Sequence, residues 1–149
     1  YQRQWIAMRK RIILSGDREL DVATRMVGFF SPQFFNKRAD RIEEFRRLAL
    51  ANPYPGTESG LAGQNHAAQT HEARERLHMI TTATLITVGS ADRTTEPSAS
   101  RLMHERIRNS ELVIFDDAGH FPPFQAPGEF LSVSIGFMLK NGHGNRHPS

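Results

Sequence analysis

The chain has 149 residues, 38% hydrophobic and 23% charged, with a formal charge of +3 and no cysteine. That is one domain's worth of polypeptide with a modest apolar supply. It excludes disulfides, thiolate metal sites and a cysteine nucleophile.

No apolar run approaches the ~20 residues of a helical membrane span, and YQRQWIAMRK at the start does not resemble a signal peptide. No membrane partner and a cytoplasmic location are therefore expected. The sequence opens without Met, so the chain is expected to begin inside something longer or to have been processed. Its basic residues are dispersed. Arg38, Arg41, Arg46 and Arg47 alternate with Asp40, Glu43 and Glu44, the pattern of a solvated helix face rather than of a nucleic-acid surface.

Residues 4–14 read as a helix, with Trp5, Met8 and Ile12 at spacings of three and four. Ser15-Gly16-Asp17 breaks it, and Asp17 is placed to cap a second helix reaching about Phe30, with Leu20, Val22, Ala23, Met26, Val27 and Phe30 available for burial. Ser31-Pro32 has the form of a new helix start. Residues 39–51 are amphipathic, with Ile42, Phe45, Leu48 and Ala49 on one face. A helix is expected from Glu58 to Thr70 and a short helical turn over 72–78.

The texture then changes. Residues 83–88 (ATLITV) form a short β-branched run ending at Gly89, a buried strand. Residues 97–108 read as a helix, 111–115 (ELVIF) as a second strand, and Asp116 to Pro123 as a loop. Residues 127–139 read as a last helix, burying Phe130, Leu131, Ile135, Phe137, Met138 and Leu139. The polar tail 141–149 is expected to be disordered. A helical crossover of this length between two strands implies parallel pairing.

Two residues occupy equivalent places in that pattern. Asp92 follows the first strand and His120 the second. Ligands of open α/β sheets bind beyond the carboxyl ends of the strands, and neighbouring strands lie about 4.8 Å apart. A carboxylate and an imidazole can therefore meet there. The carboxylate would fix the tautomer and the other ring nitrogen would act as general base. Asp116 and Asp117 are rival acids, but they precede the histidine closely and suit loop stabilisation.

Residues 77–97, LHMITTATLITVGSADRTTEP, resemble the α/β-hydrolase pattern "L..I..PTL...G..D...P". Residues 111–140, ELVIFDDAGHFPPFQAPGEFLSVSIGFMLK, are similar to that superfamily's ending around its Gly-His dipeptide. The resemblance covers about residues 77–139. It implies an α/β fold corresponding to the C-terminal part of an α/β-hydrolase, with Asp92 as the acid and His120 as the base of a catalytic triad.

The chain departs from the pattern at Thr82-Ala83, where proline is usual, and at Gln125, where Glu is common. The large departure is the nucleophile, because no G-x-S-x-G occurs. Gly56-Thr57-Glu58-Ser59-Gly60 is off by one and lies between helical segments.

The resemblance implies that residues 1–76 are a helical cap or lid, 77–140 the C-terminal part of the hydrolase core, and 141–149 a tail. The nucleophile would belong to an N-terminal half of the fold outside this chain, which is the expected partner. The expected activity is serine-type hydrolysis of a small-molecule ester or related acyl substrate, with no cofactor. The expectation for this chain alone is inactivity. A non-catalytic α/β-hydrolase-like binding partner is the other reading.

Phe121, beside His120, and Trp5, Phe29, Phe30 and Phe34 in the cap are candidate substrate contacts. His66, His71 and His78 do not repeat on one face, and no metal site is expected. His104 suits a surface helix, His143 and His147 the tail, and Ser90 and Ser98 a turn and a helix start.

Overall fold

A computed structural model describes residues 2–142, with side chains described from Ala7 onward. It divides into two compact units, Tyr1–Ala73 and Arg74–Ser149. The division falls a few residues before the junction expected at 76/77.

The first unit is all helical: α1 (Gln2–Ser15), α2 (Arg18–Phe29), α3 (Pro32–Lys37), α4 (Ala39–Ala51) and α5 (Glu58–Thr70). Side chains set the helix starts. Asp17 accepts from the Leu20 N–H at 2.9 Å, Ser31 from the Phe34 N–H at 3.1 Å and Thr57 from the Gly60 N–H at 3.1 Å, each satisfying a donor that the first helical turn leaves open. Gly16, at φ +71°, makes the turn between α1 and α2.

Ile12, Val22, Met26, Phe30, Phe34 and Leu61 form the core. At its centre Phe30 stacks on Phe34 with centroids 5.4 Å apart and meets Phe45 edge-on at 5.0 Å. Three of the apolar positions expected in α2 are not covered, since Leu20, Ala23 and Val27 are exposed, as is Leu48 of α4. The apolar stripes of these helices are wider than the core the unit itself provides. Along α4 the alternating charges pair locally, Arg41 with Glu44 and Arg46 with Glu43.

The second unit begins with a 3₁₀ turn (Arg74–Met79), followed by β1 (Thr84–Gly89), α6 (Pro97–Arg106), β2 (Ser110–Phe115), α7 (Pro122–Gln125) and α8 (Pro127–Asn141). The strands pair in parallel, in register from Thr84 opposite Ser110 to Gly89 opposite Phe115. α6 packs on both strands as the crossover. Ile86, Val88, Ile107, Phe115 and Ala118 are buried, and Phe130 of α8 lies against Phe115 with ring centroids 5.9 Å apart.

The details differ from expectation in three places. α6 stops at Arg106 because Ile107 turns into the core, where it is 1% exposed. The short α7 was not expected: Pro122-Pro123 read as loop residues, yet proline fits the first turn of a helix, where no N–H is needed. α8 runs on to Asn141, and the tail 143–149 lies outside the described residues. On α8, Leu131, Ile135, Met138 and Leu139 are exposed rather than buried. A two-stranded sheet offers this helix too little apolar surface to cover more than one side.

One glycine fixes how closely the two strand-end loops approach. A Cβ on Gly89 would collide with the carbonyl groups of Ala118 and Gly119, the residues just before His120. Backbone carbonyls cannot swing aside as a side chain can. Gly89→Ala is therefore expected to cost about 1–3 kcal/mol or more and to lower the melting temperature. Gly63→Ala, on the exposed surface of α5 where an added methyl meets nothing, should instead be neutral or stabilising. Equal melting temperatures for wild type and Gly89→Ala would contradict this packing.

Candidate active site

Parallel pairing puts the carboxyl ends of β1 and β2 side by side, and the loops that leave them are laced together. The Ser90 N–H donates to the Phe115 carbonyl and the Ala91 N–H to the Ala118 carbonyl, both at 2.9 Å. In return the Asp117 N–H donates to Ser90 Oγ at 3.0 Å. Asp117 has the left-handed backbone that Asp tolerates better than most residues, at φ 56°. The side chains of Asp116 and Asp117 are exposed. These two residues shape the histidine loop, and the carboxylate that reaches the imidazole is another one.

That carboxylate is Asp92, whose side chain is only 4% exposed, and its Oδ2 lies 2.9 Å from His120 Nδ1. The Asp92 N–H closes a turn onto the Gly89 carbonyl, which points the side chain back over the strand ends. Oδ1 accepts the backbone N–H groups of Thr94 at 2.8 Å and Thr95 at 2.9 Å, the turn that Asp characteristically makes with the residues two and three ahead. Oδ2 accepts the Thr95 hydroxyl at 2.9 Å as well as meeting His120.

Burial acts to raise the Asp92 pKa. The hydrogen bonds from His120, from the Thr95 and Thr94 N–H groups and from the Thr95 hydroxyl outweigh it, and the net direction is down. The carboxyl is therefore ionised at neutral pH. Facing an ionised carboxylate, the Nδ1 of His120 is the donor, and the lone pair resides on Nε2. A half-buried imidazole in this state can take a proton from a group presented to Nε2 and keep the resulting charge balanced.

The sequence singled out Asp92 and His120 and missed the Thr94–Thr95 cradle. The signal was present, because an Asp followed by two threonines after a strand is a turn-forming pattern. Phe121 is half-buried and lies face to face with Phe124, with ring centroids 5.8 Å apart and planes within 5°. Phe30 and Phe34 are buried in the helical unit's aromatic cluster and Phe29 is half-buried beside Phe45. The side chain of Trp5 lies outside those described. Ser90 holds the Asp117 N–H, and Ser98 is an exposed residue at the start of α6.

No family model matches the sequence. The chain is 37% identical over 67 residues to a proline iminopeptidase of Saccharolobus solfataricus, covering 45% of this chain and 21% of that protein. It is 28% identical over 134 residues to 3-oxoadipate enol-lactonase 1 of Acinetobacter baylyi, covering 90% of this chain and 48% of the relative. Among solved structures it is similar to MGS-M2, an α/β hydrolase enzyme from a Medee basin deep-sea metagenome. The TM-score is 0.77 at 24% identity, covering 91% of this chain and half of that one. The chain thus spans half or less of the length of these relatives. Its fold is that of the C-terminal part of an α/β-hydrolase.

Proposed function

We propose that this chain supplies the acid and the histidine of a serine-type hydrolase acting on carboxylic esters or related acyl substrates. The nucleophile and the oxyanion-binding N–H groups come from an N-terminal half of the fold outside this chain. The observation that carries the reading is the 2.9 Å contact between His120 Nδ1 and the buried Asp92 Oδ2 at the paired strand ends. The likeness to an enol-lactonase, an enzyme named for opening a cyclic ester, supports the substrate class.

In this reading His120 Nε2 removes the serine proton as the hydroxyl attacks the acyl carbon, and returns a proton to the leaving alcohol. Water then repeats the cycle on the acyl-enzyme. Asp92 holds the imidazole in the useful tautomer and stabilises the imidazolium as it forms. In this reading residues 1–76 are the helical cap segment. Phe121, beside the base, is the proposed apolar contact for substrate, whereas Phe30 and Phe34 are taken up by the core of the helical unit. The absence of G-x-S-x-G from the sequence favours a second reading, a chain that binds without catalysing.

The two readings separate in the assembled pair, this chain with its nucleophile half, assayed on p-nitrophenyl esters. His120→Ala should lower kcat by roughly 10⁴-fold or more. Equal activity in wild type and variant would remove the triad assignment and leave the binding reading.

Asp92 also makes a pH prediction. Its folded-state pKa lies below the ordinary 3.8, so its contribution to stability is complete above that value. The contribution is lost as the pH falls through the lowered one. Melting temperature should therefore fall from about pH 4 downward in wild type and less steeply in Asp92→Asn. Parallel pH profiles for the two proteins would contradict the assignment.

A further inference from the structure

Thr95 stands at the centre of the acid–histidine contact, and neither the sequence pattern nor the triad chemistry assigns it a role. Its Oγ1 lies 2.9 Å from Asp92 Oδ2 and 3.2 Å from His120 Nδ1, while its N–H donates to Asp92 Oδ1. The three side chains close a triangle in which each atom meets the other two.

Hydrogen counting restricts what such a triangle can hold. An ionised carboxylate only accepts, and its two oxygens offer about four lone-pair positions. Two are taken by the Thr94 and Thr95 N–H groups on Oδ1. On Oδ2 the remaining two fall to the Thr95 hydroxyl and to His120. With the hydroxyl proton committed to Oδ2, the Thr95 oxygen presents a lone pair to the imidazole. Nδ1 must then be the N–H, shared between Oδ2 and Oγ1. The other arrangement turns the hydroxyl proton onto Nδ1. It would force the histidine proton onto Nε2 and cost Oδ2 both of its side-chain donors.

We infer that Thr95 is a positioning residue for the histidine base, its hydroxyl locking the carboxylate rotamer and selecting the Nδ1–H tautomer of His120. The inference rests on the proposed triad. As the imidazole becomes imidazolium, Nδ1–H faces two oxygens rather than one, and neither must reorient. Within the triangle only Asp92 and His120 titrate. The nearest charged residues in the two loops, Arg93 and Glu96 beside Thr95 and Asp116 and Asp117 before His120, are all exposed.

The test compares Thr95→Val and Thr95→Ser with wild type in the assembled hydrolase. Both keep the backbone N–H, and Thr95 is exposed, so folding, checked by melting temperature, should survive. Thr95→Val is expected to lower kcat about tenfold, the worth of one well-placed hydrogen bond, with KM nearly unchanged. Removing the hydroxyl strips a donor from Asp92 and an acceptor from the His120 Nδ1–H, so the acid limb of kcat/KM should shift in Thr95→Val. Thr95→Ser should restore both.

If Thr95→Val matches wild type while His120→Ala is inactive, the inference fails and the triad stands. It fails equally if Thr95→Val and Thr95→Ser lose activity alike with an unmoved pH profile, which marks a merely structural residue. If His120→Ala is fully active, the triad reading fails and this inference with it.

Discussion

Everything chemical in this chain depends on the register of one parallel strand pair. Because Gly89 lies opposite Phe115, the loops that follow start level with each other, and Asp92 and His120 need only a short excursion each to meet. A slip of one residue would turn every side chain of β2 to the other face and carry the histidine loop away from the carboxylate. The register is held by Ile86, Val88 and Phe115, buried among α6, α8 and the opposite strand. It is finished by the hydrogen bonds that lace Ser90 and Ala91 to the histidine loop. Gly89 permits that lacing, since any side chain there would occupy the space of the Ala118 and Gly119 carbonyls.

The two units are held together in different ways. In the helical unit, capped helix starts and a cluster of phenylalanines make a small core with its own aromatic geometry. The strand-bearing unit leaves one side of α8 apolar and exposed. Three or more strands, or good helix cover, are normally needed before a sheet is stable alone. The site loops are well ordered locally by hydrogen bonds, but the sheet beneath them is minimal. That arrangement suits a unit that completes its sheet with strands outside this chain, as the proposed N-terminal half would provide.

Much of this was legible in the sequence because it rests on local chemistry. Asp17 and Ser31 announce helix starts, residues 39–51 carry a helical period, and two short β-branched runs flank a helical crossover. Asp92 and His120 follow from position, since both stand just beyond a strand. What escaped were features set by tertiary space. Leu131, Ile135, Met138 and Leu139 look like core residues in any pattern analysis, and they are exposed because this unit has nothing to set against them. Ile107 ends α6 early by turning inward. α7 escaped because proline is read as a breaker even where it begins a helix. The Thr94–Thr95 cradle escaped for another reason. Its importance lies in which oxygen each donor reaches, and spacing alone does not state that.

The balance at Asp92 explains why those donors matter. A carboxylate with so little exposure is pushed towards protonation by the loss of water. A protonated Asp could not organise a base. The loop supplies two backbone N–H groups and a hydroxyl from within three residues of the acid itself, which add to the hydrogen bond from His120, the largest single contribution against burial. Because these donors are neutral, they hold the charge in place without satisfying it as a salt bridge with Lys or Arg would. The negative charge stays available to the one partner that can become cationic. The carboxylate thus remains ionised while the imidazole is left as the group that gains and loses the proton. That division of labour is what the proposed base role of His120 requires, as opposed to two groups sharing one hydrogen.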